Sequence, residues 1–174
     1  ALYEQNLPIT WGEQPVGESL GMAVHESQSL LMEMQACRSE AFMNFLSLKM
    51  KNHFGNNDAF EPNNLHSLYT NVKRGLIRVD ADEVTYPLHV ILRYEIEKEL
   101  IEGDLKVADL PEIWNTKMTE YLGLNTENNY KDGVLQDVHW PSGAFGYFPA
   151  YTLDSLIAAQ LFASAKQALP DMSH

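Results

Sequence analysis

The spacing of apolar residues constrains this chain most, because it repeats every three or four positions through most of the sequence. Residues at that spacing share one face of an α-helix. We therefore predict a long helix from about Ser19 or Met22 to Asn52, ended by Gly55. Its apolar stripe consists of Leu20, Val24, Leu31, Met34, Phe42, Phe45 and Leu48.

Glycine, proline and short polar side chains divide the rest of the chain into further segments. A helical turn at 1–5 precedes a loop at 6–21, and a short β-rich stretch at 76–80 is typical of extended backbone. The remaining predicted helices cover about 63–74, 82–102, 111–122 and 151–169, and the second of these carries Leu88, Leu92, Ile96 and Leu100 on one face. The pattern predicts an all-α fold with little or no sheet, one helical body over 1–174.

Charge and composition exclude several classes of protein. The 174 residues carry 24 acidic and 12 basic side chains, a formal net charge of −12. Such a balance disfavours nucleic acid and anionic membranes as partners. The best apolar run, Leu156–Ala165, is too short to span a membrane and contains Gln160. A single cysteine, Cys37, fits a reducing compartment, and with no leader peptide in the sequence we expect a cytoplasmic protein.

Glu26 is the first candidate for chemistry. It lies near the start of the long predicted helix, with Met22 and Leu30 four residues away on either side. A carboxylate on an apolar face needs a partner, and a metal ion can supply one. The alternative is a solvated or salt-bridged helix residue.

Arg78 is the second candidate, set among apolar neighbours just before a predicted helix. A guanidinium in such a place can bind a free carboxylate through two hydrogen bonds. The alternative is an ion pair with Asp80 or Asp82 that only holds the turn.

The third candidate is the glycine-flanked stretch from Gly133 to Tyr151. It combines Gln, Asp, His, Trp and two Tyr side chains, a composition typical of active-site loops. Histidine can move a proton and tyrosine can donate to an oxyanion. The alternative is a structural loop with aromatic anchors.

Taken together, the three clusters resemble the Taq-type thermostable zinc metallocarboxypeptidases over nearly the whole chain. Members of that family carry, in this order, a His-Glu-Ser motif, an Ile-Arg-x-x-Ala-Asp motif and a Gly-x-x-Gln-Asp-x-His-Trp motif. The same residues stand here at His25–Ser27, Ile77–Asp82 and Gly133–Trp140. The chain departs from the family after Gln28, where Ser29–Met32 replaces the more common Arg and Trp.

The resemblance implies a role for each of these residues. Glu26 would bind zinc and His25 would support it. Arg78 would grip the C-terminal carboxylate of a peptide substrate, and the residues lining the substrate site would be Gln136, Asp137 and Tyr151. His139 and Tyr147 would donate hydrogen bonds to the tetrahedral oxyanion.

The resemblance also implies that the chain is an internal fragment. In the family, a His-Glu-x-x-His zinc motif is followed by Ala-Leu-Tyr-Glu-Gln, the sequence found here at 1–5. Family members also continue past Pro170, where we predict a helix end. We therefore expect a larger parent enzyme that binds Zn²⁺, acts on peptides and forms a homodimer, and an isolated fragment without bound zinc or activity.

Two other functions remain open from the residues alone. A non-enzymatic acidic helical module that binds a partner would need none of these roles. An endopeptidase or dipeptidyl peptidase on the same helical zinc scaffold would not need Arg78 to bind a C-terminal carboxylate.

Overall fold

A computed structural model describes residues 2–169 of the chain, and within that range every regular element is helical. The α-helices are α1 (Leu2–Gln5), α2 (Met22–Leu30), α3 (Glu40–Phe54), α4 (Pro62–Tyr69), α5 (Tyr86–Glu102), α6 (Leu110–Leu122) and α7 (Ala150–Ala168). This confirms the all-α prediction. The expected helix end at Pro170 lies outside the described residues.

The chain divides into two compact units, each with its own packing. Unit 1 comprises Ala1–Thr70 and Leu153–His174, and unit 2 comprises Asn71–Thr152. In unit 1, α3 lies against α4 and buries Met43, while α4 buries Leu65. In unit 2, α5 packs on α6 around a core of Leu92, Ile96, Trp114, Met118 and Leu122.

The prediction of one helix from Met22 to Asn52 was wrong. Helix α2 is followed by a π-helical segment, Leu31–Ala36, and α3 begins only at Glu40. The Ser39 hydroxyl accepts a hydrogen bond from the backbone N of Phe42, at 3.2 Å, so it caps a new helix. The predicted stripe is therefore not one buried face, and Phe45 and Leu48 are exposed.

Other helix boundaries differ from the prediction for local reasons. Helix α4 ends at Tyr69, before the predicted 74. Helix α5 begins at Tyr86 because the Asp82 carboxylate accepts hydrogen bonds from the backbone N atoms of Val84 and Thr85, which holds a turn there. Within the stretch at 76–80, Ile77 has extended backbone and Arg78–Asp80 form a 3₁₀ turn.

The last two predicted helices agree with α6 and α7 to within a residue or two. Helix α6 ends at Leu122 and is capped by Gly123, whose φ of +66° is a left-handed conformation that glycine adopts without strain. Across residues 2–169, no helix is sufficiently long and apolar to pass through a bilayer.

Candidate active site

A stripe of buried polar side chains on α5 organises the candidate site in unit 2. His89, Arg93 and Glu97 follow one another at four-residue spacing and so share one face of the helix. All three are nearly inaccessible to solvent. His89 bonds to Gly75 before α5, and Arg93 and Glu97 bond to the loop between α6 and α7. The stripe therefore connects α5 to the motifs predicted to carry function.

Arg78 is buried in an ion pair with Asp137. The Nε and Nη2 atoms of Arg78 donate to Asp137 Oδ1, at 3.0 and 2.9 Å, and Nη1 donates to the Tyr86 hydroxyl at 2.7 Å. Its guanidinium carbon lies 4.7 Å from the centre of the Tyr151 ring, a cation–π distance. Although burial opposes the charge, Asp137 and the neighbouring tyrosines raise the pKa of Arg78.

Asp137 is shared between two arginines. Its second oxygen, Oδ2, accepts a hydrogen bond from Arg93 Nε at 2.6 Å. Burial alone would raise the pKa of the Asp137 carboxyl, but Arg93 and Arg78 lower it, so the carboxylate is ionised. We call Arg78, Tyr86, Arg93 and Asp137 the Arg78 network.

Arg93 is fixed on its other side as well. Its Nη1 atom donates to the carbonyl oxygen of His89 at 2.8 Å, and its guanidinium stacks 4.6 Å from the Trp114 ring. Burial lowers the pKa of Arg93 to about 10, which still leaves it charged at neutral pH. His89 Nε2 lies 3.1 Å from the carbonyl oxygen of Gly75, and burial lowers the pKa of His89 to about 4, so it is neutral.

Gln136 joins the two motifs of unit 2 through backbone hydrogen bonds. Its Oε1 accepts from the backbone N of Arg78 at 2.8 Å, and its Nε2 donates to the carbonyl oxygens of Leu76 and Gly133. Gly133 is required in this loop, since a Cβ atom there would lie 2.5 Å from the carbonyl oxygen of Asn129. The Ile77–Asp82 and Gly133–Trp140 motifs therefore form one structure.

His139 and Tyr151 form a second pair beside the Arg78 network. His139 Nε2 lies 3.0 Å from the Tyr151 hydroxyl, and its Nδ1 lies 3.7 Å from Asp137 Oδ1, too far for a hydrogen bond. Burial lowers the pKa of His139 and raises the pKa of Tyr151. The Tyr147 ring is 5.5 Å from the His139 ring.

Glu97 holds the end of the third motif. Its Oε2 accepts a hydrogen bond from Trp140 Nε1 at 2.7 Å, and its Oε1 accepts one from the backbone N of Gly146. Trp140 in turn packs edge-on against Trp114. The loop that carries His139 is thus attached to α5 through Trp140 and Gly146, which follow the histidine in sequence.

The predicted metal-binding residues lie in unit 1, on α2. Glu26 Oε2 accepts a hydrogen bond from the Ser29 hydroxyl at 2.7 Å, and 41% of the Glu26 side chain is exposed. His25 lies between two carboxylates, with Nδ1 3.8 Å from Glu26 and Nε2 3.1 Å from Glu4. Glu26 is therefore half exposed, not turned inward as the apolar spacing suggested.

A metal ion of the kind the resemblance implies needs three or more protein donors around it. Within residues 2–169, no group of three or more His, Cys, Asp and Glu side chains is arranged to hold one. The donor set that these residues provide does not fit a complete catalytic zinc site. Glu26 provides one carboxylate oxygen that is not bonded to Ser29.

The structure brings six of the predicted residues together in unit 2, namely Arg78, Gln136, Asp137, His139, Tyr147 and Tyr151. The alternative pairing of Arg78 with Asp80 or Asp82 was wrong, because its partner is Asp137 and Asp82 caps the following turn.

Sequence reasoning missed Arg93 and Glu97. Their four-residue spacing from His89, beside the apolar face, was the available signal.

Comparison with known proteins places this geometry in a family. A profile of the family described as Carboxypeptidase Taq (M32) metallopeptidase matches residues 1–174. The chain is 44% identical over 169 residues to "Thermostable carboxypeptidase 1" of Thermus thermophilus, covering 97% of this chain and 33% of that protein. It is 39% identical over 174 residues to "Carboxypeptidase 1" of Bacillus subtilis, covering 98% of this chain and 34% of that protein.

A solved structure agrees with these relatives. "Trypanosoma Cruzi Metallocarboxypeptidase 1" is 49% identical and superposes with a TM-score of 0.91, covering 97% of this chain and 34% of that one. The chain thus spans about a third of the length of the relatives it matches. Because the family profile matches from the first residue to the last, the chain belongs to the Carboxypeptidase Taq (M32) metallopeptidase family.

Proposed function

We propose that this chain is an internal segment of a zinc-dependent carboxypeptidase that releases C-terminal residues from peptides. The observation that carries the proposal is the buried Arg78 guanidinium, held in place by Asp137 and Tyr86. Contacts within residues 2–169 use three of its five N–H groups, which leaves two for a carboxylate ligand. The relatives named above as carboxypeptidases support the same activity.

Arg78 supplies the selectivity that an exopeptidase needs, because only the last residue of a peptide has a free α-carboxylate. Gln136 holds its backbone, Asp137 orients its guanidinium and the Tyr151 ring lies against it. These residues form the proposed substrate-binding group. An amidated peptide would present no charge to Arg78 and would bind poorly.

His139 and Tyr147 are the proposed donors to the oxyanion of the tetrahedral intermediate. The His139–Tyr151 hydrogen bond fixes the imidazole, and the Tyr147 ring lies 5.2 Å from the Tyr151 ring. Fixed donors stabilise a developing negative charge without reorganisation. Because His139 is neutral, it stabilises the oxyanion as a hydrogen-bond donor and not as a cation.

Glu26 is the proposed zinc ligand of the parent enzyme, and His25, whose Nδ1 lies 3.8 Å from Glu26 Oε1, is the residue proposed to support it. In the parent enzyme, a metal held in part by Glu26 would supply Lewis-acid activation of the attacking water. Since no three-ligand cluster occurs in residues 2–169, we propose that the segment 1–174 alone holds no catalytic zinc and has no activity.

The resemblance to the family also suggests how the parent enzyme assembles and where it is located in the cell. We propose a parent that forms a homodimer in the cytoplasm, and Cys37 as a single cysteine fits a reducing compartment. Sedimentation of the full-length protein tests the dimer, and fractionation of cells tests the location.

The test uses the full-length protein with one peptide in two forms, with a free C-terminal carboxylate and with a C-terminal amide. We expect release of the last residue from the free acid only. Arg78→Ala should lower kcat/KM for the free acid by about 100-fold, the scale of a charge-assisted bidentate contact. Equal cleavage of both forms, or an unchanged rate in Arg78→Ala, would instead support an endopeptidase or dipeptidyl peptidase.

A further inference from the structure

The Asp137 carboxylate is bound on both of its oxygens by different arginines. Oδ1 accepts two hydrogen bonds from Arg78, and Oδ2 accepts one from Arg93 at 2.6 Å. Arg93 is completely buried, so it is shielded from solvent and from any substrate. Its charge is therefore available only to groups of the protein that surround it.

Arg93 also has little freedom to move. Its Nη1 atom is bonded to the His89 carbonyl oxygen on its own helix, at 2.8 Å. Its guanidinium plane lies against Trp114 at 4.6 Å and Phe148 at 5.7 Å. Because Arg93 is held against α5, it keeps the atom it contacts, Asp137 Oδ2, at a fixed position relative to that helix.

The contact with Oδ2 decides how Asp137 meets Arg78. A carboxylate bound on only one oxygen can rotate about its Cβ–Cγ bond, because that torsion is broad and two-fold. With Oδ2 held by Arg93, Oδ1 is fixed opposite the Nε and Nη2 atoms of Arg78. The Tyr86 hydroxyl fixes Nη1 from another direction.

We propose that Arg93 is a positioning residue that acts through Asp137 to aim the Arg78 guanidinium at the C-terminal carboxylate of the substrate. The proposal rests on the proposed carboxypeptidase function. Arg93 itself touches neither substrate nor metal. Its effect therefore falls on the binding of peptides with a free carboxylate, and it disappears when Arg78 is absent.

A double-mutant cycle in the full-length enzyme tests this coupling. Arg93→Lys keeps the charge but loses the planar contact with both His89 and Asp137. We expect it to raise KM for the free-acid peptide about tenfold, with kcat within threefold of wild type. In an Arg78→Ala background the same substitution should change KM by less than about twofold. Equal effects in both backgrounds, or a loss in kcat alone, would show a merely structural role and overturn the proposal.

Arg74→Lys is the matched control. Arg74 also lies in unit 2 and donates from Nη1 to a helix carbonyl, that of Leu122 at 3.1 Å, but it is not part of the Arg78 network. It should keep the wild-type KM. If Arg93→Lys does not fold, Arg93→Gln removes the charge of this side chain and leaves the Arg78–Asp137 contact in place, and an unchanged KM in that variant would overturn the proposal.

The two proposals fail in different ways. If wild-type enzyme does not release C-terminal residues from the free acid, the proposed function fails. If wild type acts as a carboxypeptidase but Arg93→Lys retains its KM, only the role of Arg93 fails.

Discussion

The two groups of predicted functional residues differ in how firmly the chain holds them. In unit 2, Arg78 and Asp137 are buried, and every contact described for them comes from the same unit. In unit 1, the Glu26 side chain is 41% exposed and accepts its hydrogen bond from a nearby serine on the same helix. The comparison shows that the guanidinium of Arg78 is held entirely by residues of one unit, whereas residues 2–169 hold no complete set of metal ligands around Glu26.

Breaking the centre of the Arg78 network should have the largest effect on stability. Asp137→Ala would leave two buried arginines without their shared carboxylate, and loss of one partner from a buried pair costs about 3–5 kcal/mol. Urea unfolding of the chain measures this loss. Asp80→Ala, at an exposed carboxylate close in sequence to Arg78, should change the unfolding free energy by less than about 0.5 kcal/mol. Equal losses in both variants would contradict the comparison.

Removing the anchor of the His139 loop should cost less. Glu97→Ala would leave Trp140 Nε1 and the backbone N of Gly146 without their acceptor, a loss of about 2–3 kcal/mol. Glu102→Ala, at an exposed position on the same helix, is the control. Thermal unfolding of both variants measures the difference, and a smaller loss for Glu97→Ala than for Glu102→Ala would contradict the assignment.

Acid should weaken unit 2 before it weakens unit 1. His89 has a pKa of about 4 in the folded state and about 6.5 in the unfolded state. Between pH 4 and 6.5, this histidine is therefore protonated in the unfolded chain but not in the folded one. Its contribution to stability is complete above pH 6.5 and is lost as the pH falls through 4, with a loss of about 2 kcal/mol by pH 4.5. Asp137, whose pKa is lowered, adds a further loss only below about pH 4.

Unfolding free energies measured at a series of pH values check this slope. His89→Gln should flatten the curve between pH 6.5 and 4. Parallel curves for wild type and His89→Gln would show that His89 does not carry the effect.

The smallest effect belongs to the cap of α3 in unit 1. Ser39→Ala removes the acceptor for the backbone N of Phe42 and should cost about 1 kcal/mol. Ser39→Asp keeps an acceptor there and should retain most of the stability. Urea unfolding compares the two variants, and equal losses would show that the cap contributes nothing.

Much of the candidate site could be predicted from sequence because its residues stand in short motifs. The Ile77–Asp82 and Gly133–Trp140 motifs contain both members of the Arg78–Asp137 pair, and the structure brings these motifs together. The partner of Arg78 could not be chosen correctly from sequence. Asp80 and Asp82 were nearer along the chain, and local spacing carries no information about a contact 59 residues away.

Two features were not predicted because the sequence around them follows the three- to four-residue spacing of an ordinary helix: the buried charges on α5 and the break between α2 and α3. Arg93 and Glu97 lie on a helix whose apolar face was predicted correctly, and a charged residue on such a helix is usually exposed. The break between α2 and α3 escaped notice because the apolar spacing continues through the π-helical segment. Ser39, followed by Glu40 at the first helical position, was the local signal of a new helix.

The zinc content of the chain 1–174 tests the central contrast most directly. Purified protein is equilibrated with zinc, freed of excess metal and analysed together with Glu26→Gln. We expect much less than one equivalent of bound zinc, no release of C-terminal residues, and no difference between the two proteins. One equivalent of zinc with peptidase turnover, both lost in Glu26→Gln, would contradict this expectation.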